Sequence, residues 1–381
     1  MLNDYLQVAS SQLIERASGL KGKLPRPPRR EFERLATHCC DGIDRAIREL
    51  KEVRDNPVWR KPANAPVRLL EFRRIASNID RFENEAIAAI VRSGKDEGAM
   101  VNLLYRMSNE ITYPIELPTV SMLSQNYFFI RTDFRLMCIP LMEPYFLLHL
   151  PDIYHELSHP LFRTQHDPRT KAWLDAFLLA KGLICDYLTK QSVLAESSRT
   201  PEAIKCFLQF AKDNWLCRWM EEVFCDLFGL FSAGPAYSWA HLHLHAERGG
   251  NAFHLPQRRS SHPADAPRMT AMLEGLLLIG GQGVAGQIES RWRSLLGVAG
   301  QTEPPDFQRY YPDKILRQCV QAAFNGFTKM GCKPWPGASD DEVRKTLNDA
   351  WRHFWESPND FVAWERKAAE VLLSLNPDVA G

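Results

Sequence analysis

His155-Glu156-Leu157-Ser158-His159 is the stretch from which the rest of this chain can be read. On a helix, His-Glu-x-x-His sets two imidazoles one turn apart on one face, where both reach a single Zn2+. The glutamate between them lies beside the ion and is placed to take a proton from a metal-activated water. That is the core of a metal-dependent hydrolase. The pentapeptide also arises by chance on structural helices, so its meaning depends on a third ligand elsewhere.

Downstream, Trp219-Met220-Glu221-Glu222-Val223-Phe224-Cys225-Asp226-Leu227-Phe228-Gly229 reads as a second helix. Glu222 and Asp226 are four apart and share a face. A glutamate on a facing helix completes a His2Glu site with one position open, and an aspartate one turn on can accept the free ring N–H of a ligating histidine and fix its tautomer. Glu221 is a rival ligand, but its partner four residues on is Cys225, which cannot serve as a charged orienter; Glu222 is preferred. The alternative metzincin pattern needs Gly at 162 and His at 165, where Phe162 and Gln165 stand.

At these residues the sequence resembles the gluzincins, the thermolysin-like zinc peptidases, whose pattern is His-Glu-x-x-His followed by Glu-x-x-x-Asp on a second helix. The resemblance implies His155, His159 and Glu222 as ligands of one Zn2+ per chain, Glu156 as general base and Asp226 as the orienting carboxylate. A third block, His262-Pro263 with Arg268, is similar to the His-Pro…Arg element of the integral-membrane gluzincins that process prenylated proteins and of their heat-shock relatives. It makes His262 the first candidate to stabilise the tetrahedral oxyanion, ahead of Tyr237 and Arg268. Positions 155 to 268 span about a third of the chain. The gluzincin likeness also implies a small sheet before the motif helix whose edge strand binds the substrate backbone.

Two features depart from that pattern. Pro160 follows the second histidine, and a proline inside a helix removes a hydrogen bond, so the motif helix is predicted to stop or bend just after His159. Sixty-two residues then separate His159 from Glu222, which predicts an inserted helix over Lys171–Thr189.

Composition sets the outer limits. The 381 residues are 45% hydrophobic and 24% charged, with a net charge of +1, which gives no global electrostatic case for nucleic acid. The most apolar stretch, Leu136–Leu150, is cut by Pro140, Glu143 and Pro144, so no membrane span is expected. Met1-Leu2-Asn3-Asp4-Tyr5 has no signal-like pattern. Nine cysteines with no Cys-x-x-Cys pair suit a reducing cytoplasm. Lys21–Arg74, which includes Pro25-Arg26-Pro27-Pro28-Arg29-Arg30, carries an excess of seven positive charges. Interspersed acids and the lack of an aromatic stacking pattern favour a solvated helical face there over a nucleic-acid surface.

The expected fold class is α+β and mostly helical. Residues 1–120 read as an N-terminal helical region, with helix-like spacing at Arg30–Arg54 and Leu69–Ser93. Residues 121–300 form the zinc peptidase domain, and 301–381 a C-terminal helical region. Tyr127–Arg131 and Phe134–Ile139 have strand character about a turn at Arg131-Thr132-Asp133. His241, His243 and His245 could bind a second metal through His241 and His245, but no carboxylate pair stands nearby in the sequence, and a partly exposed helical face is preferred. Residues 246–262 look like a loop that gates the site. In the tail, Ser339-x-x-Glu342 reads as a capping box and Ser357-Pro358 as a helix start, with Trp351, Phe354, Trp355, Phe361 and Trp364 forming an aromatic core.

The expectation is a soluble, cytoplasmic zinc endopeptidase acting on protein or peptide substrates, without membrane or nucleic-acid partners. The competing expectation is a non-enzymatic, zinc-stabilised protein that binds a partner. A structural zinc site is usually closed by four ligands and has no use for Glu156, which favours the enzyme.

Overall fold

The structure, a computed structural model, describes residues 2–25, 30–92, 96–124, 127–164, 166–198, 200–339 and 341–374. The chain divides into two compact units, Met1–Val101 with Pro118–Leu141, and Asn102–Leu117 with Met142–Gly381.

The first unit contains α1 (Leu2–Lys23), α2 (Glu33–Asp55) and α3 (Ala65–Arg81), the last running through a π turn at Phe82–Ile87 into α4 (Ala88–Arg92). In α2, Leu35, Cys39, Ile43, Ala46, Leu50 and Val53 recur at three- and four-residue spacing and are all buried. They share a core with Ile75, Ile79 and Phe82. The basic stretch is laced with ion pairs: Lys21 meets Asp44 at 2.8 Å, and Arg74 meets Glu49 and Glu71 at 2.7 and 2.6 Å. Residues 26–29 of that stretch lie outside the described residues.

Three short strands complete this unit: β1 (Thr119–Ser121), β2 (Phe129–Arg131) and β3 (Leu136–Cys138), in the order β1-β3-β2. Val120 of β1 pairs in parallel with Met137, and Ile130 of β2 pairs antiparallel with the same residue. All of β3 is buried, as a central strand covered on both faces must be. The two expected strand runs contain β2 and β3, while the turn falls at 132–135, one residue later than the sequence suggested. The sheet groups with the N-terminal helices because Phe134, Leu136 and Cys138 enter their core. The compact units therefore part elsewhere than at the expected 120/121 boundary.

The second unit begins within α5 (Asp96–Ile111), at Asn102, and holds the motif residues. α6 (Asp152–Ser158) carries the first histidine and ends where Pro160 dictates, tightening into a 3-10 turn at His159–Arg163. The expected insertion is two helices, α7 (Lys171–Glu196) and α8 (Glu202–Asn214). From α8 the chain continues through a π turn at Trp215–Trp219 into α9 (Met220–Ala233), and then into α10 (Pro235–Arg248). The rest is α11 (Asp265–Leu278), α12 (Gln282–Val298), the short α13 (Phe307–Tyr310), α14 (Asp313–Lys329), α15 (Glu342–Glu356) and α16 (Phe361–Ser374).

α9 is buried on every face from Val223 to Ala233, which makes it the central helix of the unit. Phe224 lies 4.9 Å from Trp173 of α7, and Phe228 lies 5.2 Å from Phe327 of α14. The tail belongs to the same unit: Glu110 of α5 accepts the N–H groups of Val343 and Arg344 at 2.7 and 2.9 Å, so no boundary falls at 300/301. The expected aromatic core is present, with Phe354 at 5.4 Å from Trp351, 4.9 Å from Trp355 and 5.3 Å from Phe361. The capping box is not: α15 starts at Glu342, and Asp341 before it accepts the N–H of Ala338 at 2.8 Å. Likewise α16 starts at Phe361 rather than at Pro358. The described residues are mostly helical, with one small sheet among them.

Candidate metal centre

α6 packs against α9, and this pairing brings the two halves of the motif together. His155 and His159 stand one turn apart with ring centroids 5.2 Å from each other. The Nε2 of His155 lies 3.4 Å from Glu222 Oε2, and the Nε2 of His262 lies 3.3 Å from the same oxygen. That oxygen is buried, yet it has no hydrogen-bond partner of acceptable geometry among the described residues. A buried carboxylate oxygen left so is costly unless something else is bound to it. Two donors each about 2.0–2.1 Å from a tetrahedral Zn2+ lie about 3.3–3.4 Å apart. A spacing of this size suits two donors on one ion as well as an imidazole–carboxylate ion pair.

The other nitrogen of His155 is fixed from behind. Its Nδ1 lies 3.0 Å from Asp226 Oδ1 and 3.0 Å from the Tyr237 hydroxyl. The Tyr237 hydroxyl donates to Asp226 Oδ1 at 2.6 Å, and Arg268 donates from Nε and Nη2 to the two Asp226 oxygens at 2.7 Å each. Asp226 is 0% exposed. Burial opposes its charge, but the Arg268 guanidinium holds the carboxyl well below its usual range. An ionised Asp226 accepts the Nδ1–H of His155, which turns Nε2 toward Glu222. Burial likewise opposes charge on Glu222, and His155 and His262 hold that carboxyl below its usual range. For His155 burial works against protonation, yet the nearby carboxylates of Asp226 and Glu222, with Glu156 adding to the field, hold the ring up to about 10. The pocket attracts positive charge.

His159 is arranged in the same way by different partners. Its Nδ1 lies 3.3 Å from Glu221 Oε1 and 3.5 Å from Cys225 Sγ, so Nε2 is the nitrogen left for a ligand. His155, His159 and Cys225 also form a compact cluster, with one donor atom from each within 4.8 Å of the others. Cys225 is thus a second possible third ligand. Glu222 is outside that cluster, but its carboxyl is held ionised beside His155, whereas burial pushes the Cys225 thiol well above its ordinary value. Glu156, half-buried on α6 next to His155, is the remaining acid of the motif.

Two glycines make this arrangement possible. A Cβ on Gly229 would stand 2.8 Å from the Tyr237 ring, so only glycine lets Tyr237 lie against α9. Gly234, at φ +67°, makes the turn that folds α10 back beside α9.

Tyr237 and Arg268, expected among the oxyanion donors, are committed to Asp226 instead. Removing the Asp226 carboxylate from water demands compensating donors, and these two supply them. The His262 side chain is 52% exposed and approaches Glu222, with Ser261 Oγ 2.8 Å from its Nδ1. The segment expected to gate the site carries no helix or strand from 249 to 264, and Asn214 ties it down by donating to Gln257 O at 2.7 Å. The expected exposed face of His241, His243 and His245 is corrected. His241 and His245 are buried, and both face Asp265, with His245 Nδ1 at 2.8 Å and His241 Nε2 at 3.6 Å. Asp265 was not legible in the sequence because it lies on the next helix. Glu221 and Cys225 as partners of His159 were also missed, since they are contacts across two helices.

No family model matches the chain, and comparison with curated proteins and with solved structures finds no match either.

Proposed function

We propose that the chain is a zinc-dependent endopeptidase of gluzincin type, with His155, His159 and Glu222 holding the ion. The observation that carries this reading is the buried Glu222 Oε2, without a hydrogen bond of acceptable geometry among the described residues, set 3.4 Å from the Nε2 of an imidazole whose Nδ1 is tied to a buried aspartate. Bound there, Zn2+ would supply a Lewis acid that polarises a carbonyl and activates water near neutral pH. Glu156 does the proton work: its carboxylate accepts a proton from the attacking water and delivers it to the departing amine. His262, half-exposed at the rim, donates a hydrogen bond to the oxygen that gains charge. Asp226, Tyr237 and Arg268 keep His155 in one tautomer and orientation. Nine free cysteines suit a reducing, cytoplasmic setting. No helix among the described residues is long and apolar enough to cross a membrane. Protein or peptide substrates follow from the gluzincin resemblance.

The test is a whole-extract cleavage comparison between wild type and Glu156→Gln, both zinc-loaded. Cleavages present with wild type and missing with the variant are expected; identical patterns would refute peptidase chemistry.

A second reading has one observation in its favour. His262 Nε2 approaches Glu222 as closely as His155 does, so His262 as a fourth ligand would close the site and make it structural. Zinc content of His262→Ala separates the two. The catalytic reading expects zinc to stay and turnover to fall by about 10²–10³; the structural reading expects zinc to be lost.

A further inference from the structure

Three side chains that the first centre does not use converge elsewhere in the same unit. His149 stands in the stretch that leads into α6, while His243 and Glu247 lie one turn apart on α10. We propose that His149, His243 and Glu247 form a second binding site, for a first-row divalent cation such as Zn2+, which ties the 143–149 segment to α10.

The geometry supports an ion at their centre. His243 Nε2 lies 3.2 Å from Glu247 Oε1, and His149 Nε2 lies 3.9 Å from Glu247 Oε2. One donor atom from each of the three falls within 4.8 Å of the other two. Donors bound to one ion at about 2.0–2.1 Å stand about 3.3 Å apart at the tetrahedral angle and about 4 Å at most, so these separations need only small side-chain adjustments. The two imidazoles face each other at 5.3 Å with a 41° tilt.

A second feature points the same way. Glu143 Oε2 lies 2.5 Å from His149 Nδ1, which directs Nε2 of that ring toward Glu247. This repeats the device by which Asp226 directs Nε2 of His155, a carboxylate behind a ligating imidazole. Two imidazoles and a carboxylate favour zinc, nickel, cobalt or copper over calcium or magnesium. His149 and Glu143 are largely shielded and Glu247 is half-exposed, so the site opens to solvent on the Glu247 side. The inference does not rest on the peptidase reading, since these residues are apart from the first centre.

Zinc content of the full chain tests it, measured after chelator stripping and dialysis against buffered Zn2+. Wild type is expected to hold two ions, His155→Ala with Glu222→Ala one, and that double variant with Glu247→Gln none. Glu247→Gln and His243→Gln alone should each lose one ion while circular dichroism is unchanged, and chelator competition should show at least a tenfold loss of affinity for that ion. Full wild-type zinc content in both single variants would overturn the proposal and leave the cluster as two ordinary ion pairs. Loss of one ion in Glu247→Gln, with none lost in His155→Ala, would uphold the second site while refuting the first.

Discussion

A carboxylate with no exposed surface persists only where donors replace the water it has lost. Asp226 has three such donors: Arg268, Tyr237 and His155. Asp226→Asn keeps the shape but removes the charge that fixes the His155 tautomer. Zinc affinity by chelator competition should fall about 10–100-fold with the fold retained. Tyr237→Phe leaves the carboxylate in place and should weaken zinc less than Asp226→Asn. His155, Glu156, His159, Glu222 and Asp226 were legible because helix periodicity ties each pair to one face. The donors on Asp226 were not assigned to it, because Arg268 lies 42 residues on and no spacing rule links them. His241 supplies a pH prediction. Burial, with Arg268 adding to it, pushes its pKa down to about 4, below the unfolded value of about 6.5. The unfolded chain therefore binds the extra proton first, and stability falls as pH drops from about 6.5 to 4. Asp226 and Asp265, both depressed, lose their contributions only below about pH 4. Denaturant titrations at pH 7 and pH 4.5 should show wild type losing about 2 kcal/mol more than His241→Gln over that interval.

Helix packing, not helix propensity, places the ligands. α6 is only seven residues long and is stopped by Pro160, so His155 on it and His159 in the turn that follows hold their places through contact with α9. α9 follows a π turn, a local rewinding often found at functional sites. Gly229 tests how closely α9 and α10 must approach. In Gly229→Ala the new methyl meets the Tyr237 ring, and the ring must leave Asp226 or the helices must part. Stability should fall by about 1–3 kcal/mol, and zinc affinity should fall with it; an unchanged affinity would show that Tyr237 does not position His155. At this scale the long helices were legible in the sequence and the short elements were not. The aromatic tail cluster and the Pro160 break followed from composition and backbone chemistry. β1, three residues beside a proline, carries no period to detect, and the start of α15 shifted because Asp341 is engaged by Arg344 and Ala338.

For the whole chain, the sequence indicated a mostly helical protein with a small sheet but not where its compact units part. The strands look like a prelude to the motif helix, yet their buried residues complete the core of α2 and α3. The tail likewise shares a unit with the motif because Glu110 caps the start of α15, a contact of 233 residues' separation. If the motif binds metal, the folded state gains stability that the unfolded chain lacks. Free Zn2+ at 100 times its dissociation constant should add about 2.7 kcal/mol. The thermal midpoint of wild type should therefore rise with Zn2+ more than that of His155→Ala. The most direct measurement is an anomalous difference map at the zinc edge from crystals of the zinc-loaded chain. The account expects a peak bonded to Nε2 of His155, Nε2 of His159 and Glu222 Oε2, with Glu156 close by but not bonded. A map with no peak at these residues, or with the ion on Cys225 Sγ in place of Glu222, would contradict it.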